Sequence, residues 1–385
     1  MTDTRPELLF LAHRIPFPPN KGDKLRSFHL LRALCSRYRV HLGCFVDDEA
    51  DWTHVGEVSE LCQSTFFAPL RPLPAKFRAL LGLFGNAPLT CHHFSSPRLQ
   101  HWVSNCVRTR PLAGAFAFSS PMAKFLANET SVPRRVIDFI DVDSAKWHQY
   151  AQTARWPMRW IYKREGRYLE RFEQDMAMEF DWSLFVSQAE AQVFLDGDDS
   201  ARAKVVAVEN GVDHVFFDPA ITTETPFDSG CLPIVFTGAM DYSPNVDAVT
   251  WFAKMVFPSV RERVPNAEFF IVGLNPNDAV HRLAEAPGVT VTGRVPDVRP
   301  YIAHSQVTVA PLRIARGVQN KVLESLAMGK PVVASKAAVE GIRQEALFGV
   351  RVADSASQFI DSVTEVLLGS NDKSNATIRD GILGL

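Results

Sequence analysis

Short apolar runs alternate with longer amphipathic stretches along the chain. The short runs have the length and the bounding residues of buried strands, and the longer stretches repeat their apolar residues at helical spacing. Strands are predicted at residues 8–12, 40–45, 113–118, 135–139, 183–186 and 205–208, and again at 233–236, 268–272, 289–292, 307–310 and 331–334. Helices are predicted between them, including 158–180, 245–257, 297–303 and 318–328. This alternation predicts an α/β fold with parallel sheets.

The alternation is interrupted once, where the polar, turn-rich segment AITTETPFDSG follows ENGVDHVFFDP. Such a segment is typical of a linker. A single hydrophobic core seldom grows beyond about 250–300 residues, so this chain of 385 residues suits two domains. We therefore predict a first domain at residues 1–215, a linker at 216–230 and a second domain at 231–385. Ligands of parallel sheets bind beyond the carboxyl ends of the strands, and functional residues are expected there.

The composition is that of a folded protein, with 46% hydrophobic and 22% charged residues. The net charge of −2 argues against a general nucleic-acid binder, which would carry a strong basic excess. Residues 1–190 contain 24 basic and 20 acidic residues, which leaves 17 and 23 for the remainder. The N-terminal half is therefore the better suited of the two to an anionic surface.

The six cysteines occur without a CxxC pair, which favours reduced thiols over a zinc site or a disulfide framework. The N-terminal stretch MTDTRPELLF lacks the basic and apolar regions of a signal peptide, and no run of 18 apolar residues occurs. We expect a cytoplasmic protein, and peripheral contact with the inner face of the membrane through the N-terminal domain stays open.

The stretch ARGVQNKVLESLAMGKPVVA, residues 315–334, combines charged residues with a predicted helix start. If Val318 opens the helix, the backbone N–H groups there lack intrahelical partners and suit an anion, to which Lys321 adds a charge. The carboxylate of Glu324 would repel phosphate but can accept hydrogen bonds from a diol such as ribose. Phosphate and ribose together indicate a nucleotide. Spacing alone favours a simpler alternative, an exposed Lys–Glu pair on an ordinary helix.

Longer stretches carry a resemblance to a known family. PLRIARGVQNKVLESLAMGKPVVAS resembles the donor-binding segment of glycosyltransferase family 4. NGVDHVFFDP resembles the interdomain signature of that family, FTGAMDYSPNVDAVTWF its second-domain opening, and VTGRVPDVRPYIAHSQVTVAPLR the stretch before the donor helix. In the first half, LAHRIPFPPNKGDKLRSFHLLRAL, FSSPMAKFL and IDFIDVDSAKWHQYA are similar to the sugar transferases associated with exosortase and PEP-CTERM systems, which build exopolysaccharide.

The resemblance implies a GT-B fold, in which two Rossmann-like domains with parallel sheets face a central cleft. It implies a retaining, metal-independent hexosyltransferase without a cofactor, which moves a sugar from a nucleoside diphosphate sugar to a glycan or polyprenyl-linked acceptor. Glu324 would bind the nucleotide, and Lys321 and Arg316 would stabilise the departing diphosphate. The implied donor-binding residues are Gly238, Arg294, Arg313, Gly317, Val318, Gln319, Asn320, Lys321 and Glu324.

The sequence departs from the family pattern at three places. Arg316 stands where the family often has a Glu that holds the donor sugar, so sugar recognition is expected to differ. Met240 and Asn245 replace a basic pair, which leaves the charge of the diphosphate to Lys321 with Arg313 or Arg316. The last helix, which crosses back to the first domain in that family, is not evident in NDKSNATIRDGILGL, so an atypical C-terminus is expected.

Two segments of the first domain are further candidates. Lys21, Gly22 and Asp23 lie in PFPPNKGDK, which follows a strand and suits an acceptor or phosphate loop; the alternative is a plain surface turn. IDFIDVDS places Asp138, Asp141 and Asp143 at the end of another strand. We take Asp141 and Asp143 as candidate catalytic residues, and the alternative is a helix N-cap formed by Asp143 or Ser144.

The helix predicted within WPMRWIYKREGRYLERFEQDM mixes basic, aromatic and acidic residues. Membrane-surface helices share the first two features, but the acids favour packing within the domain. Two functions of other classes also remain at this stage. A nucleotide-sugar epimerase could use the same fold, and the missing basic pair would suit a protein that binds sugar nucleotides without turnover.

Overall fold

The structure, a computed structural model, describes residues 3–19, 22–70, 82–127, 129–196, 199–221, 224–315, 318–369 and 375–383. The chain forms two compact units, Met1–Glu209 and Asn210–Leu385. The division lies a few residues before the predicted boundary at 215. Arg379, near the end of the chain, donates hydrogen bonds to the carbonyls of His214 and Phe217. These contacts attach the segment after Glu209 to the second unit.

The first unit contains a seven-stranded parallel sheet with the order β3-β2-β1-β4-β5-β6-β7. Its strands are β1 (Glu7–Ala12), β2 (Arg39–Val46), β3 (Ser64–Pro69), β4 (Leu112–Phe118), β5 (Arg135–Ile140), β6 (Trp182–Phe185) and β7 (Val205–Ala207). All six strands predicted for this half are present. Strand β3 was not predicted, because it is an edge strand whose residues are mostly half-buried and lack a continuous apolar pattern.

Helices connect these strands. They are α1 (Gly22–Cys35), α2 (Val55–Leu61), α3 (Leu89–His93), α4 (Pro97–Thr109), α5 (Ser120–Ala123), α6 (Asp143–Thr153), α7 (Met158–Glu179) and α8 (Gln188–Leu195), with 3-10 turns at Glu49–His54, Gly82–Phe84 and Asp199–Lys204. Two clusters of buried apolar side chains cover the sheet, one containing Leu9 and Phe139 and the other Phe10 and Leu42. Since side chains alternate across a strand, neighbours such as Leu9 and Phe10 supply opposite cores.

The second unit contains a six-stranded parallel sheet with the order β10-β9-β8-β11-β12-β13. Its strands are β8 (Leu232–Thr237), β9 (Ala267–Val272), β10 (Val289–Gly293), β11 (Val307–Ala310), β12 (Val332–Ala334) and β13 (Val350–Val352). The five predicted strands are present. The added strand β13 has three residues, VRV, and lies at the sheet edge, so it is too short and too polar for its pattern to be recognised.

The helices of the second unit are α9 (Ser243–Met255), α10 (Phe257–Arg263), α11 (Asp278–His281), α12 (Arg299–Ala303), α13 (Asn320–Ala327), α14 (Lys336–Val339), α15 (Ala356–Leu367) and α16 (Asn375–Leu383), with 3-10 turns at Pro219–Ile221, Arg282–Glu285 and Gln344–Leu347. Helix α16 occupies part of NDKSNATIRDGILGL, where no last helix was evident from sequence. Its Ile378 is buried in the core of the second unit, and Arg379 is hydrogen-bonded to the carbonyl of Ala327 at the end of α13.

Candidate active site

Glycines follow the carboxyl ends of three neighbouring strands in the second unit. Gly238 follows β8, Gly273 follows β9, and Gly293 ends β10. A Cβ atom added to Gly273 would lie 1.7 Å from the carbonyl oxygen of Gly238, so the two backbones approach more closely than any side chain allows. This part of the sheet edge is therefore lined by backbone, which is the arrangement that lets a ligand approach closely.

Lys321, in the first turn of α13, extends to this glycine-lined edge. A Cβ atom at Gly238 would lie 3.2 Å from Nζ of Lys321 and 2.7 Å from Nδ2 of Asn245. Nζ of Lys321 donates a 2.7 Å hydrogen bond to Oδ1 of Asn245, and it lies 4.0 Å from the ring centroid of Phe236 in β8. Asn245 is held in turn by a 2.9 Å bond from its Nδ2 to the carbonyl of Ala239. The ammonium is therefore fixed in position beside Gly238.

Burial shifts the protonation equilibria of the two charged residues of α13. Burial lowers the pKa of Lys321 to about 7, against the opposing effect of the Glu324 charge. Burial likewise raises the pKa of Glu324 to about 7, although the Lys321 charge works in the other direction. Within the described part of the chain, the carboxylate of Glu324 has no hydrogen-bond partner. A half-buried carboxylate without a partner has the capacity to accept hydrogen bonds from a ligand.

The basic residues that could assist Lys321 are placed differently. Arg313 forms a bidentate pair with Asp247 of α9, with 2.9 Å between Nε and Oδ2, so much of its charge is already compensated. Arg294 is exposed and directly follows β10. Arg316 and Gly317 lie outside the described residues. Met240, at one position of the missing basic pair, is fully buried in the core of the second unit.

The donor helix begins later than the sequence suggested. The prediction that Val318 opens it is wrong, because α13 starts at Asn320 and Gln319 is its N-cap residue in an extended conformation, with φ −89° and ψ 96°. Val318 and Gln319 are half-buried and belong to the loop before the helix. Asn320 accepts a 3.4 Å hydrogen bond from Nδ2 of Asn210, the first residue of the NGVDHVFFDP segment. That segment and the helix start are therefore in contact.

In the first unit, backbone strain marks the carboxyl ends of β4 and β5. Ser119 has φ 79° and Ile140 has φ 71°, in the left-handed region that non-glycine residues seldom enter. For the β-branched Ile140 this is a clear outlier, and such residues typically cost about 1–3 kcal/mol each. The amide of Ser119 donates to the carbonyl of Asp138, so the two strained residues belong to neighbouring connections. Asp141 follows one of them directly.

Asp141 and Asp143 share one cation. Nζ of Lys146 lies 2.8 Å from Oδ2 of Asp141 and 3.1 Å from Oδ1 of Asp143. Burial opposes the charge of Lys146, but the two carboxylates more than offset it and raise the pKa of the lysine. Oδ2 of Asp143 also accepts a 3.3 Å bond from Oγ of Ser120. Asp138 is fully buried and paired with Arg26 at 2.8 Å. Lys146 thus brings Asp141 and Asp143, the two candidate catalytic residues, together.

The alternative in which Asp143 or Ser144 is the N-cap of α6 is wrong. The N-cap residue is Val142, which has no side chain able to accept a hydrogen bond. Buried carboxylates from other helices replace it. Glu190 accepts from the amide of Val142 at 2.8 Å, and Glu173 accepts from the amide and the hydroxyl of Ser144 at 3.3 and 2.5 Å. Burial, together with the Asp143 charge, raises the pKa of Glu173 to about 8.

The candidate loop after β1 is described from Gly22 onward, and Lys21 lies outside the described residues. Gly22 begins α1 with open space around its Cα, so it does not mark a close approach of backbones in this structure. Asp23 lies 3.2 Å from Nε2 of His13 and 3.0 Å from NH1 of Arg14. Burial opposes ionisation of Asp23, but these two partners lower its pKa. Asp23 therefore stabilises the loop internally.

Three features of this site were not predicted from the sequence: Gly273, Gly293 and the contact made by Asn245. A signal for the glycines exists, since FTG, IVG and VTG each place a glycine at or just after the end of a strand in the second unit. Asn245 was recognised only as a replacement for a basic residue. Its bond to Lys321 joins residues 76 positions apart. Spacing along the chain carries no signal for such a contact.

The residues that the structure describes contain no group of three His, Cys, Asp or Glu side chains arranged to hold a metal ion. They also contain no helix with the length and apolar character needed to cross a membrane.

One family model matches part of the second unit, and several solved structures are similar to nearly the whole chain. Residues 232–368, about a third of the chain, match the family model described as Glycosyl transferases group 1. Among solved structures, Anabaena Alr3699/HepE in complex with UDP and glucose is 15% identical, covers 98% of this chain and 94% of its own, and gives a TM-score of 0.65. Sucrose-phosphate synthase from Thermosynechococcus elongatus is 13% identical, with coverages of 99% and 95% and a TM-score of 0.70.

A third similar structure is WaaG, a glycosyltransferase involved in lipopolysaccharide biosynthesis, with 14% identity, coverages of 98% and 93% and a TM-score of 0.60. The fold is GT-B. At 13–15% identity these likenesses show the fold alone. The family match spans Gly238, Asn245, Lys321 and Glu324, and together with the fold it supports a GT-B glycosyltransferase. No curated protein matches the chain by sequence.

Proposed function

We propose that this protein transfers a sugar from a nucleoside diphosphate sugar to a hydroxyl acceptor, with retention of anomeric configuration and without a metal ion or cofactor. The observation that carries the proposal is the pair of charged residues on α13. Lys321 is held beside the glycine-lined edge of the sheet, and the carboxylate of Glu324, one turn away, has no hydrogen-bond partner among the residues that the structure describes. A cation beside bare backbone suits a diphosphate, and a free carboxylate suits the ribose hydroxyls.

The reaction is proposed as a front-face attack by the acceptor hydroxyl while the bond between sugar and phosphate breaks. Negative charge then grows on the departing diphosphate, and an ammonium fixed in a low-dielectric position stabilises that charge without reorganising. The 2.7 Å hydrogen bond that Nζ of Lys321 donates to Oδ1 of Asn245 keeps the lysine in place. The leaving phosphate itself is proposed to take the proton of the acceptor.

Acceptor binding is assigned by this proposal to the N-terminal unit, with Asp141 and Asp143 as candidate contacts. The support is their position after the strained Ile140 at the carboxyl end of β5. The acceptor is proposed to be a glycan or polyprenyl-linked glycan, within family 4 and the exosortase-associated group that builds exopolysaccharide. The support for this narrower assignment is the sequence resemblance of residues 11–34, 118–126 and 137–151. A cytoplasmic location belongs to the same proposal.

A donor panel tests the proposal. Thermal shifts are recorded with UDP, GDP, ADP and TDP sugars, since a ligand at 100 times its Kd stabilises the folded state by about 2.7 kcal/mol. We expect one nucleotide to raise the melting temperature and its sugar to be consumed only when a lipid-linked acceptor is added. Conversion of the donor without an acceptor would indicate an epimerase. Binding without turnover across a series of acceptors would indicate a non-catalytic protein.

A further inference from the structure

The helical hairpin of α6 and α7 carries an unusual group of exposed side chains at its tip. Trp156, in the turn, is 84% exposed, and Trp160, in the first turn of α7, is 55% exposed. Tyr150 at the end of α6 and Met158 at the start of α7 are also exposed. Within the described part of the chain, neither tryptophan contacts another aromatic ring or a cation. Four large apolar side chains therefore face solvent within eleven residues of sequence.

Backbone hydrogen bonds within the tip of the hairpin fix its conformation. The amide of Arg159 donates to the carbonyl of Arg155 at 2.9 Å, and the amides of Trp160 and Ile161 donate to the carbonyl of Pro157 at 3.1 and 3.2 Å. These bonds extend the helical turn into the loop. The two tryptophans, four residues apart, are presented on a fixed structure.

The exposed charged side chains beside the two tryptophans are all basic. Arg155, Arg159, Lys163 and Arg167 are exposed, and no ion pair involves them among the described residues. The last three are spaced four residues apart and so lie on one face of α7. The acid in this stretch, Glu165, is buried and accepts bonds from the amides of Leu89 and Thr90 at 2.6 and 2.8 Å. The surface charge of the first three turns is therefore positive.

The remainder of α7 differs. From Glu170 onward, exposed residues of both signs alternate, and Leu169, Glu173, Met176 and Ala177 are buried against the rest of the unit. The helix thus has two parts. The C-terminal part packs within the unit, as the sequence favoured, whereas the first part, about 15 Å long at 1.5 Å per residue, is an exposed aromatic and basic surface.

We infer that this surface, formed by Tyr150, Trp156, Met158 and Trp160 with Arg155, Arg159, Lys163 and Arg167, docks onto an anionic lipid bilayer. Tryptophan prefers the boundary between hydrocarbon and headgroups, where its ring is in an apolar layer and its N–H remains hydrated. Basic side chains above that layer are attracted to anionic headgroups. The combination of both at one ordered tip fits a membrane interface. The inference deepens the proposed function by naming the contact through which a lipid-linked acceptor would be approached.

Co-sedimentation with vesicles tests this surface. Wild-type protein is mixed with vesicles of phosphatidylcholine alone and of phosphatidylcholine with 30% phosphatidylglycerol. We expect binding to the anionic vesicles that weakens as salt is raised, because screening shortens the range of charge attraction. Arg159→Gln with Lys163→Gln should weaken this binding by roughly fivefold per charge removed. Trp156→Ala with Trp160→Ala should weaken it at least as much.

Matched controls come from the same unit. Trp182→Ala removes another tryptophan, 46% exposed in β6, and Arg98→Gln with Arg108→Gln removes two exposed charges from α4. Both controls should bind like wild type, and all variants should keep the wild-type melting temperature and donor-induced thermal shift. Failure of the wild type to bind anionic vesicles would overturn the inference. So would equal losses in the controls, equal binding to neutral vesicles, or binding only to an acidic polymer such as polyglutamate.

The donor-induced shift separates this inference from the proposed function. A protein that binds vesicles but no sugar nucleotide would retain the docking surface and lose the proposed activity. A protein that binds the donor but no vesicle would support the proposed function and overturn the membrane-docking inference.

Discussion

The carboxyl edges of the two sheets differ in how their polar groups are satisfied. In the first unit, Asp141 and Asp143 both form ion pairs with Lys146. The carboxylates of Glu173 and Glu190 accept hydrogen bonds from backbone amides at the start of α6. In the described part of the second unit, Glu324 has no hydrogen-bond partner, and the ammonium of Lys321 has one, Oδ1 of Asn245. An ammonium can donate three.

This difference favours the edge of the second sheet as the proposed ligand site. Polar groups buried without partners are destabilising, so an edge that leaves its charges unpaired is retained only where another molecule completes it. At the edge of the first sheet, the backbone is strained at Ser119 and Ile140. The polar side chains there form hydrogen bonds and ion pairs with one another or with nearby backbone amides. The comparison therefore supports the proposal that the nucleotide binds the second unit and that the carboxylates of the first have a smaller role in binding.

The largest expected effect is that of Lys321→Ala. If the ammonium stabilises the leaving diphosphate, kcat should fall by roughly 10²-fold or more, the scale of removing one transition-state donor. Lys321→Arg should restore it only in part, because a planar guanidinium cannot reproduce the bond to Asn245 and the contact with Phe236 together. Lys254→Ala, an exposed lysine of α9, is the control. Unchanged kcat in a folded Lys321→Ala protein would exclude the phosphate role.

Glu324→Gln should weaken donor binding by about tenfold, since hydrogen bonds to a charged acceptor contribute more than hydrogen bonds to a neutral amide. The affinity is measured by calorimetry with the nucleotide selected by the donor panel. Acceptor KM should stay the same. Glu262→Gln, an exposed acid in α10, should leave both values unchanged. Equal donor affinity in wild type and Glu324→Gln would remove the ribose assignment.

A pH series gives a smaller effect. Burial places the pKa of both Lys321 and Glu324 at about 7. Below that pH the lysine is charged and the acid neutral, and above it the lysine loses its charge while the acid gains one. Because the lysine charge favours the diphosphate and the carboxylate charge favours the ribose, affinity for the donor should be highest near pH 7 and fall several-fold on either side. Lys321→Arg keeps its charge, so its profile should be flatter; identical profiles would contradict the assignment.

Glu173 should have the smallest effect on the donor. Its pKa rises from an ordinary 4.5 to about 8, so the folded protein retains a proton that the unfolded chain loses. The stability from this group is full below pH 4.5 and is lost as the pH rises through 8. Glu173→Gln should flatten this dependence, and Glu173→Ala should cost about 1–3 kcal/mol by leaving the Ser144 amide unpaired. A large loss of donor affinity in either variant would contradict the claim that the donor binds at the sheet edge of the second unit.

The sequence predicted the parts of the fold that follow from local patterns. Apolar runs placed the strands of both sheets, except β3 and β13, which lie at sheet edges where burial is incomplete. Lys321 and Glu324 lie in one short segment, where their spacing alone favoured an ordinary surface pair and the family resemblance predicted a role in donor binding. The bond from Lys321 to Asn245 and the cap of α6 by Glu173 were not predicted, because each joins distant segments. Tertiary packing alone determines such contacts.

Hydrogen–deuterium exchange with the selected nucleotide sugar tests the central claim most directly, because it locates the ligand without relying on any substitution. The claim is that the donor binds at the glycine-lined edge and the first turn of α13. Saturating donor should slow exchange of amides in residues 238–245 and 318–323 and leave residues 141–146 unchanged. Protection confined to 141–146, or no protection in α13 under conditions where calorimetry shows binding, would contradict the account.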